Sequence, residues 1–212
     1  MVKNHHRAKF ESTFASLLEY YLLEEILVEP GGVALPMPGC ALASGEPADR
    51  VLRQAQTGDS AAFEALMRMH EVLVARTALR LTANRQDAQD AAQEVFLRLH
   101  RNLGKIDDSR NLPGWLYRVT VNVCHDIVRK RRNTHSLGDL EMPVPNTTEA
   151  TLLVAGALRT LPEKERAAIT LRDIEGLSTR EVAEILGSSE ATVRSQISSA
   201  RLKIRKLLGR RS

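Results

Sequence analysis

The 212-residue chain predicts an all-α fold, two small helical domains joined by a flexible linker, and three observations carry that prediction. From Ala48 onward apolar residues recur at spacings of three and four, the period of an amphipathic helix, and no alternating strand pattern appears. Gly, Pro and Asn signals interrupt that period about once per helix and leave one longer aperiodic stretch at residues 134–148. The length corresponds to between one and two domains at about 150 residues each, and 43% apolar residues suffice for their cores.

Residues 1–48 form an extension of different character. Phe10, Phe14, Leu17, Leu18, Tyr21, Leu22 and Ile26 predict one amphipathic helix, which stops at Glu29-Pro30-Gly31-Gly32. Four prolines and four glycines from there to Pro47 predict an irregular tether, and Met37 leaves open that part of the extension reflects the choice of start site. Glu11, Glu19, Glu24 and Glu25 interrupt any signal-peptide core, and no run approaches the roughly 18 apolar residues that a spanning helix needs. With only Cys40 and Cys124 there is no disulfide framework, so the expected setting is soluble and cytoplasmic.

The first domain is expected at 49–133. A short helix from Ala48 to about Gln56 ends at Thr57-Gly58, and Asp59 or Ser60 caps the next, which carries Phe63, Leu66, Met67, His70, Leu73, Val74, Ala78 and Leu81 on one face. After a break near Asn84, a third helix over Asp87–Leu103 buries Ala88, Ala91, Ala92, Val95, Phe96 and Leu99, with Gly104 as its terminator. Pro113 opens a fourth helix that runs to about Arg132.

The second domain is expected at 149–212. Its helices are predicted over Thr151–Thr160, over Pro162–Ile174 behind a Thr160/Glu163 capping box, from the cleaner box Ser178-Thr179-Arg180-Glu181, and from Glu190 to Leu208. Val182, Ala183, Ile185 and Leu186 face inward on the third of these, and Val193, Ile197, Leu202, Ile204 and Leu208 on the last.

The net charge of +4 averages an acidic extension, −3 over residues 1–48, with a basic body, +7 over 49–212. Two stretches concentrate it: Arg118–Arg132 has five cations against one Asp, and Arg194–Arg211 has seven with no acid. A single such run is commonly just a solvated helix face; two at the ends of helical patterns point to a polyanion.

The last two helices, separated by a three-residue turn with Gly187, have the layout of a helix-turn-helix, whose second helix enters a major groove by its N-terminal part. An ordinary helical hairpin with a basic rim is the competing reading. On the fourth helix of the first domain, Arg118, Asn122, His125 or Asp126, and Arg129 form a polar stripe opposite Leu116, Val119, Val123 and Ile127. Trp115 and Tyr117 lie just before it, and aromatics beside cations suit unstacked bases of single strands, although Trp115 equally suits a core.

Three segments carry a resemblance: Asp87-Ala-Gln-Asp-Ala-Ala-Gln-Glu-Val-Phe-Leu-Arg-Leu99, Trp115-Leu-Tyr-Arg-Val-Thr-Val-Asn122, and Gly176-Leu-Ser-Thr-Arg-Glu-Val-Ala-Glu-Ile-Leu-Gly-Ser-Ser-Glu-Ala-Thr-Val-Arg-Ser195. They resemble regions 2 and 4 of bacterial extracytoplasmic-function sigma factors, over about residues 49–212. The resemblance implies a protein that binds the β and β′ subunits of core RNA polymerase, directs it to promoters, melts the start of the bubble, and answers to an anti-sigma factor. It puts polymerase binding on Asp87, Asp90, Gln93, Glu94, Phe96 and Arg98. It puts the −10 element, as single strand with a flipped base, on Lys105, Asp108, Ser109, Arg110, Asn111, Trp115, Tyr117, Arg118, Asn122 and Arg129. It puts the −35 duplex on Ser189, Thr192, Arg194, Ser195, Gln196, Ser199, Arg201 and Arg205, with the linker near the RNA exit path. Two features depart from the family pattern: Gln196-Ile197-Ser198-Ser199 stands where more cations are usual, which is expected to weaken phosphate grip or to change the preferred −35 sequence, with adenine as the base that Gln196 could pair, and members of minimal length lack the extension.

A stand-alone helix-turn-helix regulator that binds duplex as a dimer is the alternative from another class, but it needs neither the acidic third-helix motif nor the Trp-Leu-Tyr-Arg segment. Enzymatic activity comes third: the six histidines are scattered and the two cysteines lie far apart, so no catalytic, metal or cofactor cluster is expected.

Overall fold

The computed structural model describes residues 46–134 and 155–208, with side chains from Ala48 to Arg131 and from Ala155 to Leu207. The helix expected within residues 10–28, its tether, and the linker beyond Thr134 lie outside the described residues.

Helix α1 (Glu46–Gln56) starts two residues before the position expected and turns Ala48, Leu52 and Ala55 inward. Gly58, at φ +94°, makes the left-handed turn that follows, a conformation in which a Cβ would be strained. Asp59 then caps α2 (Ser60–Thr82), its Oδ1 accepting the N–H groups of Ala61 and Ala62 at 2.9 and 3.2 Å. Ser60, the other candidate, is the first residue of the helix.

Helix α2 is the hub of the fold. It packs against α1 and also against α3 (Arg85–Asn102) and α4 (Leu112–Thr134), and Leu66, Val74 and Ala78 are wholly buried among them. It ends at Ala83, a left-handed non-glycine residue (φ 52°), a conformation that costs about 1–2 kcal/mol. The Ala83 N–H donates to the Leu79 carbonyl at 2.8 Å, and Asn84 immediately caps α3 by accepting the Asp87 N–H at 2.8 Å. Ala88, Ala91, Ala92, Val95, Phe96 and Leu99 face inward as their period predicts.

Gly104 does not stop the chain turning: a 3₁₀ turn over Leu103–Lys105 continues it, and a second over Ser109–Asn111 leads into α4. Helix α1 holds this connection. The Gln56 amide donates to the carbonyls of Leu103 and Ile106 at 3.0 and 2.8 Å, and Asp49 accepts the Ser109 N–H at 3.0 Å.

A second helical group follows. Residues 155–159 are helical, and α5 (Glu163–Ile169) comes next, but it is shorter than the expected Pro162–Ile174. Its start differs from the expectation: Pro162 occupies the cap position without a side-chain bond, and the Thr160 hydroxyl donates backward to Ala157 at 2.7 Å, so the Thr160/Glu163 box does not form. Over Thr170–Ile174 the chain takes a π turn, in which the Glu175 N–H reaches the Thr170 carbonyl five residues back at 2.9 Å.

Helix α6 (Thr179–Leu186) carries the capping box its sequence predicts, with Glu181 N–H to Ser178 Oγ at 3.2 Å and Ser178 N–H to Glu181 Oε2 at 2.7 Å. Gly187 closes it in the left-handed region (φ 59°), with Ser188 N–H on the Ala183 carbonyl at 2.9 Å in a Schellman motif. Helix α7 (Glu190–Leu208) then crosses α6 and packs along α5 through Val193, Ile197 and Ala200. Leu202, expected to pack, is instead 50% exposed. The main apolar core is continuous between the groups, running from α1–α4 into Ala167, Ala168, Leu171 and Val182.

Candidate nucleic-acid and protein interfaces

Helix α3 shows an acidic, amide-rich outer face. Asp90 is exposed and Gln93, Glu94 and Arg98 are half-buried, with Arg98 Nε donating to Glu94 Oε1 one turn away at 2.8 Å and the Gln86 amide donating to Asp90 at 3.2 Å. Asp87 is drawn toward α4, where it accepts from Arg131 Nη1 at 2.9 Å. Phe96 is not part of this face: it lies four residues after Ala92 and three before Leu99 on the inward stripe and is wholly buried.

Helix α4 presents Arg118, Asn122 and Arg129 on one exposed side, opposite Leu116 and Val123 in the core. Lys105, Arg110 and Asn111 are exposed in the preceding loop. Asp108 caps the 3₁₀ turn there, and its carboxylate holds the Arg110 guanidinium at 2.6 and 2.8 Å, which keeps the Asp108 carboxyl below its ordinary pKa. Of the residues assigned to the −10 element, Ser109 and Tyr117 sit differently from the expectation, and Trp115 takes the core position the sequence left open. Ser109 is buried under α1, Trp115 is half-buried against the core, and Tyr117 is buried with its hydroxyl donating to Glu175 Oε2 at 3.2 Å. Aromatic character alone did not distinguish a stacking platform from core packing.

In the helix-turn-helix, Ser189 caps α7 by accepting the Thr192 N–H at 3.1 Å, and Thr192, Arg194 and Ser195 are exposed on its first turns. Arg194 Nη2 donates to Glu190 one turn back at 2.9 Å, so the cation is steered along the helix rather than splayed. Gln196 is half-buried. Ser199 donates to Glu165 at 3.0 Å and Arg201 holds Asp173 through two bonds at 2.8 and 2.7 Å, so both face their own helical group; Arg205 is exposed.

The carboxylates that engage these side chains, Glu165, Asp173, Glu175 and Glu190, were not picked out by sequence pattern. Glu190 was legible as an i, i+4 partner of Arg194; the others meet cations at distances in sequence that no local period marks. Cys124 is a core residue, and burial pushes its thiol up to about 12. Among the described residues, no group of three or more His, Cys, Asp or Glu is placed to hold a metal ion, and no helix is long and apolar enough to cross a membrane.

The family described as Sigma-70 region 2 matches residues 66–134, from within α2 to the end of α4, and Sigma-70 region 4 matches residues 151–204, which include α5, α6 and most of α7. The ECF RNA polymerase sigma factor SigM of Mycobacterium tuberculosis is 36% identical over 157 residues, covering 72% of this chain and 80% of that protein. The RNA polymerase sigma-H factor of Pseudomonas aeruginosa is 33% identical over 180 residues, covering 75% and 92%. In the solved structure of CnrH in complex with the cytosolic domain of CnrY, CnrH superposes with a TM-score of 0.61 at 29% identity, over 77% of this chain and 97% of that one. With both sigma regions matched on the helices that carry the exposed α4 and α7 faces, the chain belongs to the extracytoplasmic-function RNA polymerase sigma factors, the subunits that direct transcription initiation to promoters.

Proposed function

We propose that this sigma factor divides promoter recognition between domains at 49–133 and 149–212, joined by a linker at 134–148. In the first, Arg118, Asn122 and Arg129 with Lys105, Arg110 and Asn111 take the −10 element as single strand, while Asp90, Gln93, Glu94 and Arg98 dock core polymerase. In the second, Thr192, Arg194, Ser195 and Arg205 read the −35 element as duplex. The observation that carries this reading is the pairing of two nucleic-acid faces of different kind in one chain: a helix-turn-helix with exposed early residues on α7, and a polar stripe of Arg and Asn on α4. An acidic outer face on α3 supports a protein partner there, since it would repel phosphate.

The protein then acts without chemistry of its own, in the cytoplasm where polymerase and chromosome are. An anti-sigma partner is part of the proposal, supported by the solved relative CnrH, which is held by the cytosolic domain of another protein.

In vitro transcription with core polymerase and a promoter library tests the whole reading: promoter-dependent initiation is expected, and its absence with every anti-sigma partner removed overturns it. Within it, Arg194→Ala lowers −35 duplex affinity about 10-fold, as loss of one good base or phosphate contact does, while Asn122→Ala leaves duplex binding alone and reduces open-complex formation by a similar factor. If both variants lost only duplex affinity, the division of labour would be wrong.

A further inference from the structure

The loop between α3 and α4 carries Lys105, Arg110 and Asn111, all exposed, yet much of its shape is set from outside its own sequence. Helix α3 runs out without the left-handed glycine that commonly closes a helix: Leu103 stays in the right-handed region, and Gly104 lies outside the left-handed one. The Ile106 N–H turns back to the Leu103 carbonyl at 3.2 Å, and α1 adds a donor from another helix. There the Gln56 amide donates to the carbonyls of both Leu103 and Ile106, at 3.0 and 2.8 Å. Two turns earlier on the same face of α1, Asp49 Oδ1 accepts the Ser109 N–H at 3.0 Å.

The three tied residues, Leu103, Ile106 and Ser109, are spaced by three and are all buried, whereas Lys105, Asp107 and Arg110 beside them are exposed. Three residues per turn is the period of the 3₁₀ turns at either end of the loop, so the bonds to α1 fix its rotation and with it the side chains it turns outward. Beyond Ser109 local chemistry takes over: Asp108 caps the second 3₁₀ turn and holds the Arg110 guanidinium. The Arg110 side chain is thus placed by Asp108, and Asp108 adjoins the residue that Asp49 anchors. Asp49 and Gln56 lie outside the 66–134 stretch that matches the region 2 family, and neither belongs to a proposed promoter or polymerase contact. Gln56 is exposed and Asp49 half-buried, so water can replace either partner and the bonds add little to stability beside the apolar core around α2. What they add is direction.

We propose that Asp49 and Gln56 are positioning residues for −10 recognition: by holding the backbone at Leu103, Ile106 and Ser109 they fix where Lys105, Arg110 and Asn111 meet the single strand. The inference rests on the proposed reading of the −10 element by this loop. A directional contact to a base needs its groups placed to within about 0.5 Å, whereas attraction between a cation and a phosphate falls off only slowly with distance. A loop released at one end therefore loses discrimination between bases before it loses its grip on the backbone.

The test assembles the full chain with core polymerase and transcribes a barcoded promoter library in which both the −10 and the −35 elements are randomised. It compares wild type, Asp49→Ala, Asp49→Asn, Gln56→Met and the double variant Arg110→Ala/Asn111→Ala, with circular dichroism to confirm helicity. Asp49→Asn keeps an oxygen that can accept the Ser109 N–H. Asp49→Ala and Gln56→Met are each expected to lower base preference within the −10 element about 5- to 10-fold and to leave the −35 preference within 2-fold of wild type, while Asp49→Asn keeps both. An unchanged −10 preference in the Ala and Met variants overturns the positioning role, as does an equal fall in both elements or an Asn variant as impaired as the Ala variant. If one variant loses helicity the other decides, and loss of helicity in both makes the residues structural and overturns the proposal. The double variant judges the underlying reading separately: a −10 preference that it leaves intact shows that the loop does not read the strand.

Discussion

In α1–α4 the large side chains that are fully buried include Phe96, Leu52, Leu66, Leu99, Leu112 and Leu116; in the second group the corresponding ones are Leu171, Val182 and Val193. The longer helices of the first group meet through wide apolar stripes around α2. In the second group, where α5 and α6 have only seven and eight residues, directional polar groups add to the apolar packing of α7: the Ser178/Glu181 box, the Schellman turn at Gly187, Arg201 on Asp173, and Lys203 on Glu165 at 2.7 Å. A close-packed core resists local opening, whereas a set of caps and ion pairs at the surface adds about 1 kcal/mol or less per contact and can be rearranged piecemeal. The difference teaches that the second group depends more on contacts that can be lost one at a time, although its Leu171, Val182 and Val193 share the core of the first.

The largest expected effect tests the first group. Phe96→Ala removes a fully buried ring among α2, α3 and α4 and is expected to destabilise by about 3–5 kcal/mol. Amide exchange should then rise throughout α1–α4, with urea unfolding shifted to lower denaturant. A loss under 1 kcal/mol would mean that this core is loosely packed and the contrast between the groups is false. Arg166→Met comes next. It leaves the carbonyls of Leu81, Arg159 and Leu161 without their donor, an expected cost of about 2 kcal/mol. Exchange should rise over α5–α7 while the centre of α2 stays protected; equal loss in both groups would make them one cooperative unit.

The same contrast explains what could be read from the sequence. Asp59, Asn84, Ser178 with Glu181, and Gly187 act on backbone within a few residues, so local chemistry marked those helix ends. The inward stripe of α3 was equally legible, and it is also why Phe96 could not serve an outer face: periodicity and family position disagreed, and burial decided. The π turn over Thr170–Ile174 has no local sequence signal, and Glu175 just after it meets Arg80 and Tyr117 on other helices. Nothing in the local sequence marks Arg80 or Arg166 for a long-range contact. Their partners lie 95 and 85 residues away, and only the packing of one group on the other brings them together.

The smallest expected effect is one that cancels in the intact protein. His70 and Glu71 are neighbours on α2, both buried, and burial acts on them in opposite directions. It pushes His70 from 6.5 down to about 4 and Glu71 from 4.5 up to about 7. Between those limits the unfolded chain holds an extra proton at His70, so that stability is complete above about pH 6.5 and is lost as pH falls toward 4. At Glu71 it is the folded chain that holds the extra proton, so stability is complete below pH 4.5 and is lost as pH rises through about 7. From pH 4.5 to 6.5 the two slopes oppose each other, and the pair contributes almost no net pH dependence. Glu71→Gln should expose the first slope and His70→Leu the second, each about 1 kcal/mol per pH unit, seen as stability that climbs with pH in one variant and falls in the other. Because both side chains lie on α2, the slopes should appear first in the exchange of α2 and least in that of α7. Slopes of the same sign in both variants would show that one of these side chains is charged inside the fold.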